Sequence, residues 1–176
     1  YPIWPLYYGR SYPSEGNDPL AYSSGGFIWE SARAKGKTVT IFGEYAPAPT
    51  KSSADVRTKL FEEYNAAPAD LNRQRALLAA RSNTRSEIPS LDRVLVRGDP
   101  GWTQEVPDVG QAGDILAHLA EGQAAGTMPD ITMVILPNDH TEGLSAGWCV
   151  PKACVADNDL ALGKIVEGLS HSQFWK

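Results

Sequence analysis

The chain has 176 residues, with 16 Lys and Arg against 21 Asp and Glu and a formal charge of −5. One domain of that length would bury roughly 70% of its unfolded surface, and with no basic cluster in the sequence nucleic acid is not an expected partner. No apolar run approaches the ~20 residues needed to cross a bilayer, so no transmembrane segment is expected.

Residues 1–25 interleave Trp4, Tyr7, Tyr8, Tyr12 and Tyr22 with Pro2, Pro5, Pro13 and Pro19. Proline this dense excludes long helices and predicts an irregular arm whose aromatics pack on a neighbouring surface. Gly25-Gly26 lacks the spacing and the lysine of a phosphate loop and reads as a turn. Phe27 to Ala34 predicts a short helix with Phe27, Ile28 and Ser31 on one side, and Gly36 is placed to end it. Lys37 to Glu44 alternates and is rich in β-branched residues, which predicts a strand. Glu44 at its end is suited to a site, although a Glu there is usually solvated.

Residues 46–105 read as a helical and loop insertion. Ala46 to Ser53 is a Pro/Ser/Thr loop, and from Ala54 to Asn83 the composition turns helical. Val56, Leu60 and Tyr64 share one face there, and Leu71, Leu77 and Leu78 share another after Pro68. Leu91 to Val96 predicts a short strand and Asp99-Pro-Gly-Trp102 a turn, with Trp29 and Trp102 as packing residues. Val109, Ala112, Ile115, Leu116 and Leu119 recur at helical spacing, and Gly122 or Gly126 closes that helix. His118 and His171 are expected at the surface.

Ile131, Met133, Val134, Ile135 and Leu136 form a near-continuous apolar run, the pattern of a strand covered on both faces. Pro137 stops it, and Asn138, Asp139, His140, Thr141 and Glu142 crowd five polar groups into one turn. Asp139, His140 and Glu142 are side chains that ligate metals. A long helix follows, with Val155, Leu162, Ile165, Val166 and Leu169 as its buried stripe and Asn158 and Asp159 completing that face. Polar groups on an apolar face are costly unless paired. They either lock the helix to the preceding turn by buried hydrogen bonds, or Asp157 or Asp159 acts as the carboxylate that fixes the tautomer of His140. Helices between the strands at 37–43 and 131–136 predict that the two are parallel neighbours. The fold class is therefore α/β, a short and mainly parallel sheet with packed helices, in one domain spanning 1–176, its last part (106–176) running helix, strand, site loop, helix.

Cys149 and Cys154 are the only cysteines. With no second pair and no suitably spaced His, a structural zinc is not expected. The two either close a small disulfide loop or stand as buried thiols; on one continuous helix their Cα atoms would be too far apart to bridge.

The run Leu136-Pro-Asn-Asp-His-Thr141, with Val155-Ala-Asp-Asn-Asp-Leu-Ala-Leu-Gly-Lys-Ile-Val-Glu167 after it, resembles the bacterial phosphoesterase family of the alkaline phosphatase superfamily. Its members include phospholipase C-like and acid-phosphatase-like enzymes. Trp4-Pro-Leu-Tyr-Tyr-Gly-Arg10, Gly16-Asn-Asp-Pro-Leu-Ala-Tyr22, Gly26-Phe-Ile-Trp-Glu30 and Phe42-Gly-Glu44 fit the same family at lower specificity. The resemblance implies a partial alkaline-phosphatase-like fold with a helical insertion, and a metal-dependent hydrolase acting on phosphate mono- or diesters with zinc, manganese or calcium. It also implies export to the periplasm or beyond, which favours the disulfide. The family's nucleophile and its remaining metal ligands belong to segments on either side of this pattern, so the chain is expected to be a middle portion of a larger enzyme, inactive alone and without a complete metal site.

In such a site Asp139 and His140 would carry the chemistry and part of one metal's shell. Adjacent residues of extended chain point to opposite faces, so one would bind metal while the other contacts phosphate or protonates the leaving group. Asn138 would replace a carboxylate, and Thr141 would hydrogen-bond a phosphate oxygen. The contrasting expectation is a non-catalytic α/β ligand-binding module, or an oligomerisation element that self-associates through exposed apolar surface.

Overall fold

The computed structural model describes residues 22–46, 52–67, 70, 72, 73, 76 and 84–176. The predicted arm up to residue 21, and the predicted apolar positions Leu71, Leu77 and Leu78, lie outside them. The described chain is mixed α/β, with helices on both sides of a short parallel sheet.

Helix α1 is Ile28–Ala34. Its first turn is closed by Glu30, whose carboxylate accepts from the Phe27 backbone N at 3.0 Å, and Gly36 at φ +73° follows its end. The inward residue is Trp29, 2% exposed, whereas Ile28 is 61% exposed. Of the residues expected to share one side, Phe27 packs against the core around Trp29, whereas Ile28 and Ser31 are exposed. Trp29 stacks on Phe27 with ring centroids 4.4 Å apart, and its indole N–H donates to Ser90 Oγ at 3.1 Å, which fixes the helix rotation.

Strand β1, Val39–Phe42, pairs in parallel with β2, Ile131–Val134, placing Val39 opposite Ile131 and Phe42 opposite Val134. Asp130 ties their amino ends together: it accepts from Thr38 N and Thr38 Oγ1, both at 2.8 Å, and pairs with Lys37 Nζ at 3.0 Å. On the other side of β1, Ile41 N donates to Val94 O and Ile41 O accepts from Val96 N, both at 2.9 Å. The strand expected at 91–96 is reduced to this single parallel bridge, Ile41 with Leu95. Pro89–Asp92 forms instead one helical turn, α3, with Pro89 in the first turn, where its missing N–H does no harm.

Successive residues of β1 face opposite layers. Ile41 packs with Trp29, Ala46, Ile88, Leu91 and Leu95, whereas Phe42 packs with Ala112 and Ile115 of α4 (Asp108–Ala125) and with Ala161 and Ile165 of α5 (Pro151–Ser170). Strand β2 lies at the sheet's outer side and is only half-buried, with Thr132 exposed. The expectation that both its faces are covered is not met. Helix α2, Ala54–Ala66, is capped by Ser53 and buries Leu60 and Tyr64 against Val106, while Val56 is 39% exposed. Helix α4 ends at Gly126, in the left-handed conformation.

The buried stripe of α5 also differs from expectation. Cys154, Ala161 and Ile165 are buried, whereas Val155, Leu162 and Val166 are 49%, 53% and 49% exposed. The helix is rotated because Asp157 and Asn158 turn inward, as the site explains. A disulfide joins Cys149 to Cys154 with Cα atoms 5.5 Å apart. It is accommodated because Cys149 lies ahead of Pro151, the first residue of α5, so the bridge crosses the helix start.

Candidate functional site

At the carboxyl ends of the parallel segments three loops come together. Gly43 and Glu44 follow β1, Asp99 to Glu105 follow the Leu95 bridge, and a 3-10 turn, Pro137–His140, follows β2. This is the end of an open α/β sheet where ligands usually bind.

Two of the expected site residues, Asp139 and His140, reach solvent, with their side chains 54% and 59% exposed. His140 Nδ1 lies 2.8 Å from Asp139 Oδ1. A carboxylate only accepts, so it selects the tautomer with the proton on Nδ1 and leaves the Nε2 lone pair free. The carboxylate that meets His140 Nδ1 is thus its sequence neighbour, and not Asp157 or Asp159. The ring of Trp102 closes on His140 edge to face, centroids 4.6 Å apart and planes at 80°.

Asn138 faces the other way and is 1% exposed. Its Nδ2 donates to Asp157 Oδ2 at 2.8 Å, and its backbone N donates to Asp108 Oδ2 at 3.1 Å. It therefore anchors the turn from within, and at 1% exposure it is not placed to meet a substrate as expected. The Asp108 backbone N donates to Asp157 Oδ2 at 2.6 Å. Asn158 Nδ2 reaches both Asp108 Oδ2 and Leu136 O at 2.8 Å. Of the two sequence alternatives for the polar positions on α5, buried bonds locking helix to turn is the one observed, through Asp157 and Asn158. Asp159 is exposed and takes no part.

The network is electrostatically stressed. Burial pushes Asp108 up to about 7, against the hydrogen bonds from Asn158 and the Asn138 backbone and with help from the nearby charges of Asp157 and Asp139. Burial also raises Asp157, although Asn138 and the backbone at 108 and 109 donate to it. Asp108 Oδ1, Asn138 Oδ1 and both amide atoms of Gln111 are buried with no hydrogen-bond partner among the described residues. Asp99, 2% exposed, is pushed up to about 7 by burial, partly offset by the Gly101 N–H at 2.8 Å and augmented by Asp114. Glu44 is raised by burial alone.

Thr141 sits at φ +51°, ψ 161°, outside the usual regions for a side-chain-bearing residue. Thr141 N donates to Asn138 O at 3.2 Å, and the Gln104 amide, oriented with its oxygen toward Thr141 N (2.8 Å) and its nitrogen toward Glu142 Oε1 (3.0 Å), satisfies both neighbours and holds the turn. Beyond the turn, Arg57 of α2 is buried. It donates to Ser52 O, to Ala146 O at 2.9 Å and to Gly147 O at 3.3 Å, and lies 4.2 Å over the Trp148 ring, so the loop leading into α5 is tied down.

Sequence reading missed Asp108, Asp99, Trp102 and Gln104 as parts of this site. A signal existed for Asp108: Asp108, Gln111 and Asp114 recur every three residues on α4 and are all buried, a polar stripe beside the apolar one. His118 is half-buried, with Nδ1 2.9 Å from Asp114 O and its ring against Phe42. No three His, Cys, Asp or Glu side chains converge to hold a metal ion among the described residues. Asp139 and His140 offer two donors, where a zinc or calcium ion takes four to eight, so the residues fit part of a coordination shell. No family model, curated protein or solved structure matches the chain.

Proposed function

We propose that the chain forms one wall of a metal-dependent phosphoesterase site in an exported protein, with an alkaline-phosphatase-like fold extending the α/β body described here. The observation that carries the reading is the exposed Asp139–His140 pair on a rigidly anchored turn at the carboxyl end of a parallel strand. His140, its Nδ1 proton held by Asp139, presents the Nε2 lone pair to a cation; with a second proton on Nε2 it would instead donate that proton to the leaving oxygen of an ester. Thr141 is half-exposed next to it and within reach of a phosphate oxygen. Zinc, manganese or calcium bound beside His140 would polarise the phosphoryl group. The Cys149–Cys154 bridge supports an oxidising compartment.

The test is cation-dependent hydrolysis of an aryl phosphate monoester and diester by the full-length protein and its His140→Ala variant, beside cation binding to the 176-residue chain. A rate loss of roughly a thousandfold or more in the variant supports the reading, together with weak cation binding by the chain that the substitution abolishes. Equal rates, or equal cation binding, overturn it.

A second reading, a module that self-associates, draws on the exposed Val155, Leu162 and Val166 along one side of α5. Sedimentation equilibrium decides it: a dimer that Leu162→Glu dissociates would favour this reading.

A further inference from the structure

The segment 101–105 has a regular alternation of burial. Gly101, Thr103 and Glu105 are buried, whereas Trp102 and Gln104 between them are half-exposed. The buried members hold the segment in place. Gly101 N donates to Asp99 Oδ1 at 2.8 Å, Thr84 Oγ1 donates to Asp99 O, and Glu105 N donates to Thr103 Oγ1 at 3.2 Å. Glu105 in turn accepts from Ser52 Oγ at 2.7 Å. The two half-exposed members both reach the same neighbour. Trp102 closes on the ring of His140, and Gln104 bridges Thr141 and Glu142, the next two residues of the same turn.

We infer that Trp102 and Gln104 are the positioning residues of His140, Trp102 setting the plane of the imidazole and Gln104 holding the backbone that carries it. Asp139 alone leaves the ring free to swing, because it is adjacent in sequence and itself 54% exposed, so the pair can rotate together into solvent. An aromatic wall 4.6 Å from the ring centre removes that freedom. Gln104 acts one residue further on. The left-handed backbone of Thr141 is costly for a threonine, and an amide oxygen on its N–H stabilises that turn against relaxing. Orientation of this kind matters to a reacting group because small misplacements cost large factors in rate. The purpose assigned to the pair rests on the phosphoesterase reading; the positioning itself rests on geometry alone.

The experiment is nitrogen-15 NMR of the imidazole rings in the 176-residue chain, which has three histidines. His118 and His171, away from Trp102, serve as internal reporters of intact folding. The expected wild-type spectrum shows His140 as one tautomer, protonated at Nδ1, with ring signals displaced by the neighbouring indole. In Trp102→Ala and Trp102→Leu that displacement is lost and the two tautomers mix, while the His118 and His171 signals stay in place. Trp102→Phe restores most of the wild-type pattern, and Gln104→Ala broadens the His140 signals without moving the other two. His140 signals unchanged in Trp102→Leu, with His118 also unchanged, overturn the inference. In the full-length protein Trp102→Leu is expected to lower kcat roughly 100-fold with little change in KM. An ordered His140 in a protein inert toward phosphate esters would remove the phosphoesterase reading and leave the positioning intact.

Discussion

Asn158 on α5 donates its side-chain Nδ2 to Asp108 Oδ2 on α4 at 2.8 Å, across fifty residues of sequence. The same nitrogen donates to Leu136 O, two residues beyond β2 and just ahead of the Pro137–His140 turn. A single amide thus joins two helices and the segment leading out of β2, beneath the turn that displays His140.

Asn158→Leu keeps the volume but removes both bonds, leaving Leu136 O and a buried carboxylate short of a donor. The expected cost is about 2–4 kcal/mol, read as a lower urea midpoint. Hydrogen exchange at the Asn138 amide, which donates to Asp108 Oδ2, should accelerate beyond the global change.

Asp99 and Asp108 are both pushed up to about 7 by burial, from an unfolded value near 3.9. Between those values the folded protein holds more protons than the unfolded chain. Their contribution is therefore complete below about pH 4 and is lost as pH rises through 7. Asp130, held down to about 2 chiefly by Thr38 and Lys37, acts oppositely and is lost only in strong acid. Chemical denaturation should show stability falling between about pH 4 and pH 7. Asp99→Asn, which keeps an oxygen for the Gly101 N–H, should flatten that fall by up to about 4 kcal/mol. Parallel curves for variant and wild type would contradict the assignment.

Gly43 has φ +77°, and a Cβ there would stand 2.5 Å from Ile135 Cγ2, 2.9 Å from Asp99 Oδ1 and 3.4 Å from the Gly101 carbonyl carbon. Gly43→Ala therefore combines backbone strain with displacement of Ile135 and of the loop that carries Trp102. A loss of about 2–4 kcal/mol is expected, with a shift in tryptophan fluorescence. Gly36→Ala is the control, since it has a similar φ but nothing within 4 Å, and should cost less without the optical change.

The Cys149–Cys154 bridge closes a short loop at the start of α5. The purified protein should have no titratable thiol until reduced. Reduction, or the Cys149→Ser variant, should lower stability by about 2 kcal/mol, in line with the small loop.

The α/β class and the parallel pairing of β1 with β2 were readable because apolar periodicity and glycine punctuation report them directly. Gly36 and Gly126 fell where a helix must stop. What periodicity could not report was the rotation of α5. Val155, Leu162 and Val166 look like a buried stripe, yet the helix turns about its axis to bring Asp157 and Asn158 to buried partners. That choice depends on Asp108, about fifty positions away, which no local window contains. Asp139 and His140 are exposed, whereas Asn138, of the same polar run, went inside. The contact of Trp102 with His140 joins two loops that only the sheet brings together.

The order of the strands also bears on how the chain acquires its structure during synthesis. Thr38 and Asp130, which clasp the amino ends of β1 and β2, are 92 residues apart. At about 5–20 residues per second, roughly 5–18 s separate their emergence from the ribosome. The bridging segment at Leu95 arrives well before β2, so one side of β1 is guarded while the other waits. The turn bearing His140 comes later still and lacks its anchor until Asp157 and Asn158 follow. The face that displays His140 is thus assembled last, after the scaffold beneath it has formed.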